Sequence, residues 1–280
     1  MKLIWTYDSK VNLQNPSKEK QTILINYYIL SITEAKKFGY HTIIYVDINS
    51  VKYFENIADE IIVTEGYLNS PLWDHFKIKV LSERNDDFCL IDGDLIIHKK
   101  LPQLDSDVVF DSFEHLNWSK EYKPTIDTIT KINTPDIVFD SFEYVTWNGQ
   151  YKKTVKNLTE MRIKDLIPEW SGERIPVMNI GLLYIKNEKF KDLYVEKWKK
   201  YESFIKEHIA EIDPFYATMV GAQYLLTLIG NHYGFTTSHL CHELGKKGDF
   251  YHHYCGPQKY KNPVVPTDYI LKNASKKELF

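Results

Sequence analysis

Short apolar runs alternate along the chain with longer stretches whose apolar residues recur every three or four positions. Lys2 to Tyr7 is a short apolar run, the pattern of a buried strand. Ile23, Leu24, Tyr27, Tyr28, Leu30, Ile32 and Ala35 then fall at mainly helical spacing across Gln21 to Phe38, and Gly39 is a natural C-terminal stop. A second strand is predicted over His41 to Asp47, a short helix over Ser50 to Ala58 and a third strand over Glu60 to Thr64. Pro71 to Glu83 predicts a helix leading into Phe88 to Ile97, where four apolar residues run into Asp92-Gly93-Asp94 and three run out. That run predicts a strand buried on both faces. Alternating strands and helices of this kind predict an α/β unit with a mostly parallel sheet. Ligands of such sheets bind beyond the carboxyl ends of the strands, where Tyr7, Asp47 and Asp92 stand.

The later sequence is less regular. Asp107 to Glu114 recurs as Asp136 to Glu143, each copy followed by a tryptophan at the same offset, Trp118 and Trp147. Two copies do not make a solenoid, so two similar strands of one sheet are expected. Asp111 and Asp140 end their apolar runs and are candidates to face a sugar or an acceptor, or plain turn residues. Tyr151 to Pro168 is weakly helical. Val177 to Ile185 predicts a strand interrupted by Gly181, which marks a bulge or a close backbone approach. Helices are expected over Phe190 to Ile209 and Ala217 to Ile229. Leu240 to Pro266 lacks periodicity but is rich in His, Gly and Tyr, so an ordered active-site loop is expected there.

Composition narrows the classes. The 280 residues are enough for a large core. A net charge of −3 gives no electrostatic case for a nucleic-acid partner. Three cysteines, Cys89, Cys241 and Cys255, are too sparse for a disulfide framework and fit a reducing compartment. No apolar run approaches the ~20 residues that span a bilayer, and the N-terminus lacks a signal peptide's apolar core. A soluble, cytoplasmic chain is expected.

Asp92 and Asp94 carry the candidate chemistry. In extended chain, residues i and i+2 point to one side, so the two carboxylates are expected to converge. Gly93 between them admits a ligand to the backbone. Buried carboxylates need a partner, and two that converge suit a hard divalent cation, which commonly bridges to phosphate oxygens. Zinc held by Cys241, His242, His252, His253 and Cys255 is a rival, but the spacings are irregular and no Cys-x-x-Cys pair occurs. The phosphate-loop and nucleophile-elbow motifs are absent from the sequence.

Asp92-Gly-Asp94, then Asn179-Ile-Gly181, then Gln223 on a helix, then His253-Tyr-Cys-Gly256-Pro-Gln-Lys259 form an ordered set. In this order the chain resembles the metal-dependent GT-A glycosyltransferases, above all the family-eight group that includes glycogenin and the lipopolysaccharide galactosyltransferases. The resemblance implies a single GT-A-like domain over residues 1–262 with a tail over 263–280. It implies a mostly parallel central sheet flanked by helices, with a smaller antiparallel portion. It further implies transfer of a hexose from a nucleotide sugar, UDP-linked above others, to a glycan, lipid or protein acceptor, with Mn²⁺ or else Mg²⁺. Asp92, Asp94 and His253 are the implied metal ligands. Gly256 and Lys259 are implied on the diphosphate, and Asn179, Gly181, Tyr7 and Asp47 in the donor site. Lys77 is a second cation for the diphosphate or a solvated helix lysine. Gln223 and Asp140 are the catalytic candidates: Gln223 to sit under the sugar's reacting carbon or else to hydrogen-bond within the helix packing, Asp140 to face the sugar or its acceptor. Ala222 replaces the acid that precedes this glutamine in the family, so a binding homologue without catalysis is an alternative. A nucleotidyltransferase is another, although the N-terminus lacks the expected Gly-rich loop.

Overall fold

The structure is a computed structural model and describes residues 1–9, 18–64, 70–102, 137–143, 149–173, 175, 177–235, 237–240, 250–254 and 258–261; for 18, 137–143, 238–239, 258 and 261 it describes the backbone alone. The first half folds as the alternation predicts. Strand β1 (Lys2–Tyr7), helix α1 (Lys18–Lys37), β2 (His41–Val46), a short α2 (Val51–Phe54), β3 (Glu60–Val63), α3 (His75–Glu83) and β4 (Phe88–Ile91) follow in order. These four strands pair with one another in parallel, with Ile4 beside Ile43 and Leu90. Their side chains are apolar on both faces, as a sheet covered by helices requires: Leu3, Ile4, Trp5, Ile43, Ile44, Cys89 and Leu90 are all fully buried. Two expected helices are shorter than the pattern implied. A 3-10 turn at Ile48–Ser50 replaces the start of α2, and Asn56, with φ of 65°, lies just beyond its end.

The apolar run from Phe88 to Ile97 is not one strand. The chain turns at Asp92-Gly93-Asp94, with Leu95 N–H donating to the Asp92 carbonyl at 3.1 Å. Strand β5 (Leu95–Ile97) then leaves the main sheet and pairs antiparallel with β9 (Tyr251–His253), where Leu95 faces His253. Burial on both sides of the turn conceals the break, because β4 and β5 lie in apolar surroundings either way. Helix α1 ties the pieces together. Its Ser31 hydroxyl accepts the Trp5 indole N–H at 2.9 Å and donates to the Leu95 carbonyl at 2.5 Å.

The second half extends the sheet. It supplies β6 (Ile137–Glu143), α4 (Gly149–Glu160), β7 (Val177–Ile185) and α5 (Glu188–Glu207). A helical stretch follows as α6 (Pro214–Met219), a π-helical segment (Val220–Leu225) and α7 (Leu226–His232), then β8 (Thr237–His239). The seven-stranded order is β3-β2-β1-β4-β7-β6-β8. Only β7 runs against the others: it is antiparallel to both β4 and β6, and β8 is parallel to β6. The architecture is therefore α/β, with a mostly parallel central sheet flanked by helices and a smaller antiparallel portion. Strand β6 is the second copy of the duplicated segment; the first copy, with Asp111 and both Trp118 and Trp147, lies outside the described residues. The aperiodic stretch after Leu240 holds regular structure after all, in β9 and a short α8 (Gln258–Lys261). No described helix is long and apolar enough to cross a membrane.

Candidate functional site

The turn that parts β4 from β5 carries both aspartates, at the carboxyl end of β4. They converge because the chain turns, not because it stays extended. Tyr28 of α1 lies directly beneath: a Cβ on Gly93 would stand 2.1 Å from its ring. Only glycine fits between the two carboxylates. The Tyr28 hydroxyl donates to the Thr6 carbonyl at 2.8 Å, so the ring is itself fixed to the end of β1.

His253 reaches the turn through a backbone ladder. It is the last residue of β9, opposite Leu95, and the next residue, Tyr254, donates its N–H to the Asp94 carbonyl at 2.9 Å. The His253 Nε2 lies 3.4 Å from Asp94 Oδ1, and both side chains are buried. Lys259 Nζ stands 2.5 Å from the other oxygen of Asp94. Burial opposes ionisation of Asp94, but Lys259 and His253 outweigh it and hold its carboxyl well below the usual range. Asp94 pushes the Lys259 ammonium up in return, against the effect of burial.

Asp92, Asp94 and His253 each place one ligand atom within 4.8 Å of the others. Two ligands at about 2.1 Å on opposite sides of one cation lie about 4.2 Å apart, so a slight contraction would gather all three. Two carboxylates and one imidazole suit Mn²⁺ or Mg²⁺ better than zinc, which favours thiolate and imidazole. The donor set therefore fits the cation implied by the sequence. Of the rival zinc cluster, Cys241, His242 and Cys255 lie outside the described residues.

Strand β7 supports Asp92 from the other side. The Asn179 side chain accepts the Gly181 N–H at 2.8 Å. Here the β6–β7 register slips, with Phe139 opposite Leu183 but Ser141 opposite Asn179. The Gly181 carbonyl accepts the Asp92 N–H at 2.7 Å, carrying the antiparallel β4–β7 register one pair beyond Ile91 and Leu182. Asn179 and Gly181, expected in the donor site, thus shape the backbone that holds Asp92.

Lys77 is not a solvated helix lysine. It is buried between Asp92, at 2.7 Å, and Asp74, at 3.3 Å. The two carboxylates raise its ammonium pKa despite burial. Burial dominates at Asp74 and, with Asp92 nearby, lifts its carboxyl to about 6 although Lys77 opposes this. A small cleft opens here, lined by Thr6, Asp8, Trp73, Asp74, Lys77 and Asp92 among others. Asp8 and Asp74 escaped the sequence reading. An aspartate three residues before a lysine at a helix start was the one available signal for Asp74.

Other candidates fall elsewhere. Tyr7 is fully buried, packed edge-on against Tyr28 and Phe54, while its neighbours Thr6 and Asp8 line the cleft. Asp47 accepts hydrogen bonds from the backbone of Ser9 and Asn49 and from the Ser50 hydroxyl, and so caps the turn after β2. Gln223 is buried on the π-helical segment, beside β7 through Thr227, which donates to the Gln223 carbonyl and accepts the Met178 N–H. Its side-chain oxygen has no hydrogen-bond partner among the described residues. Single π turns inside helices often mark functional sites. Asp140 lies at the β6 register shift but its side chain is not among those described, and Gly256 lies outside the described residues.

No protein-family model matches the chain, and no curated protein matches it. Among solved structures it is similar to the galactosyltransferase LgtC, determined in complex with donor and acceptor sugar analogs. The identity is 11% and the TM-score 0.48, over 100% of this chain and 97% of that one. A likeness of that size leaves the chemistry to be argued from the side chains.

Proposed function

We infer that the chain is a metal-dependent glycosyltransferase that moves a hexose from a nucleotide sugar, UDP-linked by preference, to an acceptor. The observation that carries this reading is the gathering of Asp92, Asp94 and His253 at the end of β4, with Lys259 on the same carboxylate. Asp92 and Asp94 lie far in the sequence from His253 and Lys259, and their order is the one in which the motifs occur in family-eight enzymes.

In such a transfer the bond from the sugar's C1 to the diphosphate breaks and the diphosphate keeps the electron pair, while C1 bonds to an acceptor hydroxyl oxygen whose proton is released. Asp92, Asp94 and His253 would hold Mn²⁺ or Mg²⁺, which would neutralise the charge that develops on this leaving group. Lys259 Nζ, a buried cation beside Asp94, stands ready to donate to a phosphate oxygen. Gln223 offers an amide whose carbonyl oxygen is not yet engaged, suited to orienting a sugar hydroxyl. Asp140 is a second group for the sugar or its acceptor. Gly256, in the same motif as His253 and Lys259, lets the backbone approach the diphosphate.

Calorimetric titration of UDP, GDP and ADP with and without Mn²⁺, followed by release assays on UDP-glucose and UDP-galactose, tests this. UDP binding that needs Mn²⁺ and is lost in His253→Ala is expected, with sugar release. Mn²⁺-independent binding that survives His253→Ala would withdraw the assignment. Ala222, buried where the family carries an acid, favours a second reading, a nucleotide-sugar-binding protein without turnover. Tight Mn²⁺-dependent binding with no release from any sugar donor would favour it.

A further inference from the structure

We propose that Asp74 and Lys77 form a buried relay that orients the Asp92 carboxylate for a divalent cation, and that Lys77 is a positioning residue rather than a ligand of the diphosphate. The inference rests on the metal site of the preceding section and gives a role to two residues beside it.

Lys77 has three N–H donors and no way to add a fourth. Asp92 Oδ1 lies at 2.7 Å, Asp74 Oδ1 at 3.3 Å and the Ile180 carbonyl at 3.5 Å. Three acceptors meet three donors, and the side chain is 5% exposed. An ammonium so enclosed has nothing left for a phosphate. One oxygen of Asp92 is held by Lys77, which leaves the other to face a cation. Ile180 lies on the β7 bulge whose next residue, Gly181, holds the Asp92 N–H. Backbone and side chain of Asp92 are thus fixed from one surface.

The behaviour of Asp74 is the independent observation. It stands at the N-cap of α3, where an aspartate ordinarily accepts a backbone N–H from the first turn, a bond worth about 1 kcal/mol. Here the carboxylate makes no such bond. It turns instead to Lys77, one helical turn on, although it is only 3% exposed. A buried carboxylate that forgoes its cap weakens the helix and carries a desolvation cost. Holding Lys77 in place is the compensating role that the geometry shows.

The test measures Mn²⁺ affinity by calorimetry, without nucleotide, beside thermal denaturation. Charge alone predicts that Lys77→Met tightens Mn²⁺ binding, because a cation near the site is removed. Orientation predicts the opposite, a loss of about 10- to 100-fold, the usual cost of disturbing a group that holds a metal ligand. Lys77→Arg, which keeps a donor near Asp92, is expected to retain more affinity than Lys77→Met. Asp74→Asn should weaken Mn²⁺ binding in the parent and have no further effect in the Lys77→Met background, because it acts through Lys77. Equal losses in both backgrounds would overturn the relay, as would tighter binding in Lys77→Met. With Mn²⁺ saturating, UDP affinity of Lys77→Met should stay near the parent's; a large loss there would make Lys77 a phosphate ligand and overturn the assignment. A parent chain that binds Mn²⁺ but no nucleotide would remove the proposed function and leave the relay standing. Unchanged Mn²⁺ affinity in every variant would remove the relay and leave the function.

Discussion

At the scale of single residues, Gly93 is the tightest constraint in the site. A methyl group there would overlap the Tyr28 ring, and Tyr28 is pinned to Thr6, so neither side yields easily. Gly93→Ala is expected to destabilise the fold by about 1–3 kcal/mol, the usual range for overpacking, and to weaken Mn²⁺ binding at the same time. Denaturant titration and calorimetry on one preparation check both; full Mn²⁺ affinity in that variant would show that the turn adapts. Gln223→Ala should instead leave Mn²⁺ and UDP affinity near the parent values and lower sugar release by tenfold or more, on the order of one oriented hydrogen bond in a transition state. Gly93 was visible as the spacer between two carboxylates. The ring under it was not, because Tyr28 lies in a helix whose spacing shows only which face is buried. Asp47 and Tyr7 show the converse. Standing at a strand's carboxyl end marks a residue as near the site without saying whether it faces a ligand, a cap or the core.

At the scale of elements, the strand–helix alternation of the first half was legible because each element is long enough to display its period. The β4–β5 break was not, since an apolar run records burial and not direction. Strand β9 was invisible for another reason: three residues, Tyr251-His252-His253, carry no pattern of their own, and their partner lies far upstream. Its effect on the site is nonetheless direct, because the ladder sets the place of His253. His252 shares parity with Phe250 and Tyr254, whose backbones bond to the β5 side at His98 and Asp94. His252→Pro removes the N–H between those two rungs. Loss of Mn²⁺ affinity of at least about tenfold is expected although no ligand has changed, on the scale seen when groups that orient a metal ligand are lost. Affinity equal to the parent's would mean that the aromatic packing of Tyr254 against Tyr27 suffices to hold the segment.

At the scale of the whole molecule, stability toward acid depends on carboxylates remote from the cleft. Asp59 joins α1 to β2: Lys36 lies 2.7 Å away, and the Thr42 N–H and hydroxyl donate to it at 2.9 Å each. Burial opposes its ionisation, but Lys36 and Thr42 prevail and lower its pKa to about 2. A carboxyl that is more acidic folded than unfolded stabilises the fold above its unfolded pKa and loses that contribution as the pH falls toward 2. Asp59→Asn should therefore cost about 1 kcal/mol at pH 7, after allowance for solvent screening, and nothing near pH 2. Denaturation across that range reads the difference; a constant gap between variant and parent would assign the effect to shape. The division of the carboxylate turn between two sheets has a consequence for how the molecule comes into being. All seven strands of the main sheet precede residue 240, whereas His253 and Lys259 are made later. A nascent or truncated chain ending near residue 245 can assemble that sheet and still lack the imidazole of the candidate cation site and the ammonium beside Asp94. Synthesis thus builds the scaffold first and the chemistry last, and a prematurely terminated copy is expected to fold without competing for the metal or the donor.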